Sequence, residues 1–112
     1  MEVFCDRHPL QKMSPGFVIT HRESGHKADA FKCPQCSRHY IVGNLGYVDY
    51  NPANGQMTQD PSLPQLFCSR HPERPLRIAH FDLQGDASVR TWRCAAEGCV
   101  EEKVTTGEGY WS

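Results

Sequence analysis

All six cysteines and two of the six histidines stand in a repeated order, and that repeat restricts the fold more than any other feature of the chain. Cys5-Asp6-Arg7-His8-Pro9 returns as Cys68-Ser69-Arg70-His71-Pro72, each preceded by a phenylalanine, Phe4 and Phe67. Phe31-Lys32-Cys33 is matched by Trp92-Arg93-Cys94, Cys36 by Cys99, Ile41 by Val104, and Gly46-Tyr47 by Gly109-Tyr110. Cys5, His8, Cys36 and Tyr47 each lie 63 residues before their counterparts, whereas Cys33 lies 61 before Cys94. So many chemically matched pairs in one register identify an internal duplication. The slip of two residues arises because the second cysteine pair encloses a longer turn.

Each half then holds two ligand pairs. The first offers Cys5-x-x-His8 and Cys33-Pro34-Gln35-Cys36; the second offers Cys68-x-x-His71 and Cys94-x-x-x-x-Cys99. Two donors separated by two residues can face one ion from a single tight turn. A loop of about two dozen residues lets a hairpin bring the two turns together. Three thiolates and one imidazole form a tetrahedral donor set that suits zinc. The expected ligands are therefore Cys5, His8, Cys33 and Cys36 for one Zn²⁺, and Cys68, His71, Cys94 and Cys99 for a second. In the longer turn, Gly98 is placed to supply a positive φ. His39 also stands in a Cys-x-x-His spacing, after Cys36, and competes with His8; its counterpart is Glu102, so the duplication favours His8. His21, His26 and His80 have no repeated partner and read as solvated strand or loop residues.

These turns, over residues 5–47 and 68–110, resemble the zinc-ribbon (zinc β-ribbon) class, two copies in tandem. The class differs in usually carrying cysteine where His8 and His71 stand, and often glycine at Ser37. The resemblance implies an architecture, in which two ligand-bearing turns on β-hairpins grip one ion, and no particular task.

Length makes a staple necessary. The chain has 112 residues, 38% of them hydrophobic, and two halves of that chain bury too little apolar surface to be stable unaided. Metals or disulfides are the usual remedy in domains of such size. Three disulfides would leave the matched histidines without a purpose. The first residues lack the basic and apolar regions of a signal peptide, so a cytoplasmic, reducing location is expected, where cysteines more often bind metal. No stretch approaches the roughly 18 apolar residues of a membrane span.

Apolar periodicity places strands rather than helices. Candidate strands are Phe17-Val18-Ile19-Thr20, Ala28 to Cys33, Tyr40-Ile41-Val42, Arg77 to Phe81 and Ser88 to Arg93. Ser24-Gly25 and Gln84-Gly85-Asp86 serve as hairpin turns. Tyr47-Val48-Asp49-Tyr50 and Gln56-Met57-Thr58 can form a further hairpin across Asn51 to Gly55. The expected fold is small and all-β, metal-stabilised, with two zinc-ribbon-like modules of short antiparallel strands. Residues 1–50 form the first module, 51–65 a linker or hairpin extension, and 66–112 the second. Phe4/Phe67, Phe31/Trp92 and Tyr47/Tyr110 are expected to pack around the metal turns as miniature cores. Tyr40, Tyr50 and Trp111 lack matched aromatics and are expected at the surface.

Function is less constrained. Each set offers four protein ligands, so no coordination position is left for a substrate, and neither His-Glu-x-x-His nor a deaminase arrangement occurs. An enzyme is not expected. A net charge of −1 carries no electrostatic signal for nucleic acid, and zinc on thiolates makes the chain slightly more acidic. Arg7/Arg70 and Lys32/Arg93 read as support for the anionic metal centres, or else as a phosphate-contacting patch. The leading expectation is an interaction module, adaptor or accessory protein, that binds another protein. The alternatives are a nucleic-acid-binding zinc ribbon and a thiol-based redox or metal sensor, for which Cys33-Pro34-Gln35-Cys36 would have to be exposed and activated.

Overall fold

Short runs of β-branched and aromatic residues bounded by glycine and polar turns form eight strands in a computed structural model, which describes residues 1–20, 24–43, 45–58 and 65–108. They are β1 (Ser14–Thr20), β2 (Lys27–Lys32), β3 (Arg38–Ile41), β4 (Gly46–Asn51), β5 (Gln56–Thr58), β6 (Leu76–Gln84), β7 (Ala87–Cys94) and β8 (Glu102–Glu108). The first five make one antiparallel meander in chain order, and the last three make a second. No helix occurs among the described residues, so none is long and apolar enough to cross a membrane. The all-β expectation with two tandem modules is met.

The duplication is visible in the strands. β6, β7 and β8 repeat β1, β2 and β3, with Ile78↔Trp92 and Trp92↔Lys103 among the pairs that align the second sheet. The first sheet goes further through the β4–β5 hairpin, where Tyr50 pairs with Met57. Its turn closes on asparagine side chains, Ala53 N–H donating to Asn51 Oδ1 (3.0 Å) and Gln56 N–H to Asn54 Oδ1 (2.9 Å). Gly85, with φ of 65°, closes the β6–β7 turn in the left-handed region. β8 has no apolar alternation and was not foreseen as a strand. Glu102-Lys103-Val104-Thr105-Thr106 is held by pairing with β7, which overrides a weak local pattern.

Strand alternation gives the first sheet two different faces. Phe31, Tyr40 and Tyr47 point to one side, where they meet Leu76, Ile78 and Trp92 of the second half in a single buried cluster. The expected separate miniature cores are thus replaced by a shared one. The physical reason is size, since either half alone offers too few apolar side chains to exclude water. Tyr40, expected at the surface, is fully buried; its hydroxyl donates to the Pro75 carbonyl (3.1 Å) and its ring lies 4.8 Å from that of Tyr47. Tyr50 is only partly exposed, while His21, Tyr110 and Trp111 lie outside the described residues. On the opposite side, Ile19, Ala30, Ile41 and Val48 form a smaller cluster of their own.

Hydrogen bonds around Phe4 help to fasten the halves. Phe4 N–H donates to the Ile78 carbonyl (3.0 Å). The Tyr47 hydroxyl, 2% exposed as a residue, donates to the Phe4 carbonyl and accepts from Ile78 N–H, both at 2.8 Å. Gly46 is needed just before it. Its φ is +66°, and a Cβ there would stand 2.9 Å from Pro75 Cβ and 2.7 Å from Gln65 Oε1.

Candidate metal centres

Each Cys-x-x-His turn is the tip of a small hairpin, and the two are built alike. Residues 3–13 close through Met13 N–H to Val3 O (2.7 Å), Cys5 N–H to Gln11 O (3.1 Å) and Gln11 N–H to His8 O (2.8 Å). Residues 66–76 repeat this with Leu76 N–H to Leu66 O (2.7 Å), Cys68 N–H to Arg74 O (3.2 Å) and Arg74 N–H to His71 O (2.8 Å). The second pair of each set follows β2 or ends β7. Cys33 N–H donates to Arg38 O (3.0 Å), and in the longer turn Cys99 N–H donates to Ala96 O (3.1 Å). Gly98 has a φ of 77°, the conformation expected from the extra length.

These turns bring the eight side chains into two groups, Cys5, His8, Cys33 and Cys36, and Cys68, His71, Cys94 and Cys99, whose ligand atoms all lie within 4.8 Å of one another. In the first, His8 Nδ1 is 3.7 Å from Cys5 Sγ and 3.8 Å from Cys33 Sγ, and Cys5 Sγ is 3.8 Å from Cys36 Sγ. In the second, His71 Nδ1 is 3.6 Å from Cys68 Sγ and 3.8 Å from Cys94 Sγ, and Cys68 Sγ is 3.6 Å from Cys99 Sγ. All six thiols are free, and these sulfur separations are far beyond the roughly 2.05 Å of a disulfide. In both groups the imidazole presents Nδ1, so its Nε2 carries the proton when Nδ1 donates to an ion.

No protein-family model, curated protein or solved structure matches the chain. The chemistry of the two groups therefore stands on their own geometry.

The donor sets fit a dication. Burial pushes the Cys5 and Cys36 thiols upward and Cys94 to about 11. At Cys68 burial acts in the same direction, but hydrogen bonds from the His71 ring and from the Arg70 and His71 N–H groups outweigh it and bring the thiol to about 7. Thiols buried side by side resist ionising unless a cation sits among them. Backbone amides are already turned towards the sulfurs. Gln35 N–H and Arg38 N–H reach Cys33 and Cys36 Sγ, and Ala96 N–H reaches Cys94 Sγ, each at 3.4 Å.

Two of the basic side chains expected to support the centres, Arg7 and Arg93, pair with carboxylates. Arg7 donates Nη1 and Nη2 to Asp49 at 2.8 and 2.7 Å, and Arg93 Nε donates to Glu102 (3.0 Å). Charge close to the sulfurs is balanced by main-chain N–H groups, which need no particular side chain. His39 is not in either group. It is 5% exposed on β3, has Nδ1 2.8 Å from the Ser37 carbonyl, and sits edge-on between Phe17 and Tyr50.

Beside the first group lies a buried ion pair that motif reading did not identify. Arg38 Nε and Nη2 donate to Asp6 Oδ1 and Oδ2 at 2.9 and 2.7 Å, with both side chains 5% exposed or less. It joins the turn of the first ligand pair to that of the second. The duplication carried the clue: at the equivalent positions Ser69 Oγ donates to Glu101 Oε1 (2.7 Å), so the contact is kept while its chemistry changes.

Proposed function

We propose that this chain is a structural-zinc interaction module of the zinc-ribbon type, in which two Cys₃His centres hold a rigid all-β frame that binds another protein. The observation that carries the zinc assignment is the spacing of the ligand atoms. Zinc bonded at about 2.3 Å to sulfur and 2.0–2.1 Å to nitrogen in a tetrahedron requires edges of about 3.8 Å between sulfurs and 3.6 Å between sulfur and nitrogen. In each group three of the six edges, at 3.6–3.8 Å, match those lengths, and all ligand atoms lie within 4.8 Å of one another, which supports zinc. Four protein donors fill each tetrahedron, which supports a structural role and speaks against catalysis at the metal. Free thiols and a metal-binding donor set support a reducing, cytoplasmic setting.

The binding role is supported by the face of the first sheet turned away from the shared core. Ile19, Ala28, Ile41, Leu45 and Met57 line a cavity of about 450 Å³ there, and Phe17 stands exposed on the same face. The duplication supplies a control. Asp82 and Thr91 stand at the counterparts of Ile19 and Ala30 in the second sheet, while Val89 and Val104 stand at those of Ala28 and Ile41, so this face is more apolar in the first sheet than in the second. An apolar concavity suits side chains of a protein partner. Exposed Phe17 and partly exposed Tyr50, with Lys32 on the same face, support single-stranded nucleic acid as the second reading, by base stacking. The sensor reading is weakened by the burial of Cys5, Cys33, Cys68 and Cys94, each 4% exposed or less.

Native mass spectrometry tests the frame. Two zinc ions and six free thiols are expected, and a metal-free mass lowered by lost thiol hydrogens refutes it. Anisotropy titration with single- and double-stranded oligonucleotides tests the partner class, since binding that collapses with added salt would favour nucleic acid.

A further inference from the structure

We propose that the two metal centres load as one cooperative unit, with the Phe4–Ile78–Tyr47 junction as the coupling element. The inference rests on the metal-binding reading of both Cys₃His groups and adds to it how they depend on each other.

Ligands from both groups border the same apolar cluster. Cys5 and Cys33 of one and Cys68 and Cys94 of the other pack on the core that contains Tyr47, Ile78 and Trp92. Metal in the first group fixes Cys5, and with it the adjacent Phe4, whose N–H and carbonyl are both committed to the junction. Ile78 receives that fixation through its carbonyl and through its N–H to Tyr47. Two residues earlier on β6, Leu76 pairs with the ligand Cys94 and donates its N–H to Leu66, two residues before the ligand Cys68. A second tie runs from β3, just after Cys36, through the Tyr40 hydroxyl to the Pro75 carbonyl.

The bistable element is the shared core, assembled or open. With the ligands of one group released, the segments that carry Phe4 and Tyr40, or those that carry Leu76 and Ile78, lose their anchor, and half of the core wall goes with them. Because neither half has enough apolar surface to close alone, metal at one group raises the population competent to bind at the other. Linkage makes that effect reciprocal. The chain would therefore pass from open to folded over a narrow range of free metal, with a Hill coefficient that approaches the number of sites.

The test is native mass spectrometry of the full chain at buffered free zinc adjusted to an average of one ion per molecule. Independent sites, whatever their relative affinities, leave about half of the molecules or more with a single ion, whereas loading as one unit, with coupling that outweighs any difference in affinity, leaves fewer than half. A singly loaded population below half is expected; a population at or above half overturns the proposal. Failure to bind zinc at saturation would instead overturn the metal reading itself, so the two failures are distinguishable. Two variants locate the coupling. Co²⁺ absorption of a Cys94→Ser/Cys99→Ser chain should show first-group affinity weakened at least about tenfold, and unchanged affinity refutes the coupling. Tyr47→Phe should still take two ions at saturation but with the singly loaded fraction raised; an unaltered distribution refutes the junction as its carrier.

Discussion

Replacing Tyr47 by phenylalanine removes one oxygen and leaves the ring, so the change isolates the junction between the halves. The hydroxyl is the donor to the Phe4 carbonyl and the acceptor for Ile78 N–H, both at 2.8 Å, in a residue 2% exposed. The ring contacts survive, including the edge-on approach to Trp92 at 6.2 Å. A buried polar group left without its partner costs about 1–3 kcal/mol, and two are left here, so a loss of about 2–6 kcal/mol follows. Against the 5–15 kcal/mol typical of a small domain, such a loss is a large fraction of stability. Tyr40→Phe is the internal control. Its hydroxyl makes one bond, to the Pro75 carbonyl at 3.1 Å, and its removal should cost about 1–2 kcal/mol. The assay is urea unfolding at saturating zinc, followed by tryptophan fluorescence, since Trp92 lies in the shared core. A loss below about 1 kcal/mol for Tyr47→Phe, no larger than that of the control, would show that the junction is not what joins the halves.

Other perturbations follow from the same geometry. A strong chelator should abolish the dispersed amide spectrum of the whole chain, and unchanged spectra after verified metal removal would refute a metal-dependent fold. Asp6→Asn removes the carboxylate that grips the buried Arg38 and leaves Asp49, 3.8 Å from Arg38 Nη1, as its acidic partner, so a loss of about 1.5–3 kcal/mol is expected, read as a shift in denaturation midpoint. Gly46→Ala forces a side chain into the left-handed region against Pro75 and should cost more than about 1 kcal/mol; Gly25→Ala, with open space around it, is the comparison. Burial lowers the pKa of His39, with repulsion from Lys32 adding to it and the Ser37 carbonyl opposing. A histidine held neutral contributes stability that is complete above its unfolded pKa of about 6.5 and is lost as pH falls below that value. His39→Gln should therefore flatten the fall in urea midpoint between about pH 6.5 and 5.5; an unchanged slope would remove His39 as its source.

The ligand sets were legible because turn chemistry is local. Two donors three positions apart can meet one ion only through a tight turn, and a second copy at constant offset separated His8 and His71 from the other four histidines. Most strands were legible for a similar reason, since alternation over five residues is written in adjacent positions. β8 was not, because Lys103, Val104 and Thr105 owe their conformation to pairing with β7. Tyr40 has no repeated partner, which points to the surface, yet it lies in the shared core. Duplication reports what the two halves share, and the surface on which they meet is where they need not match.

The sequence alone therefore determined the two donor sets, the positive φ at Gly98 and the all-β class, each of which follows from neighbours along the chain. Only the tertiary structure decided that both halves close on one core, that Tyr47 stitches Phe4 to Ile78, and that Arg38 is neutralised by Asp6 rather than exposed. Those contacts join residues 31 or more positions apart. Their partners are selected by exclusion of water and by satisfaction of buried polar groups, which spacing along a chain does not encode.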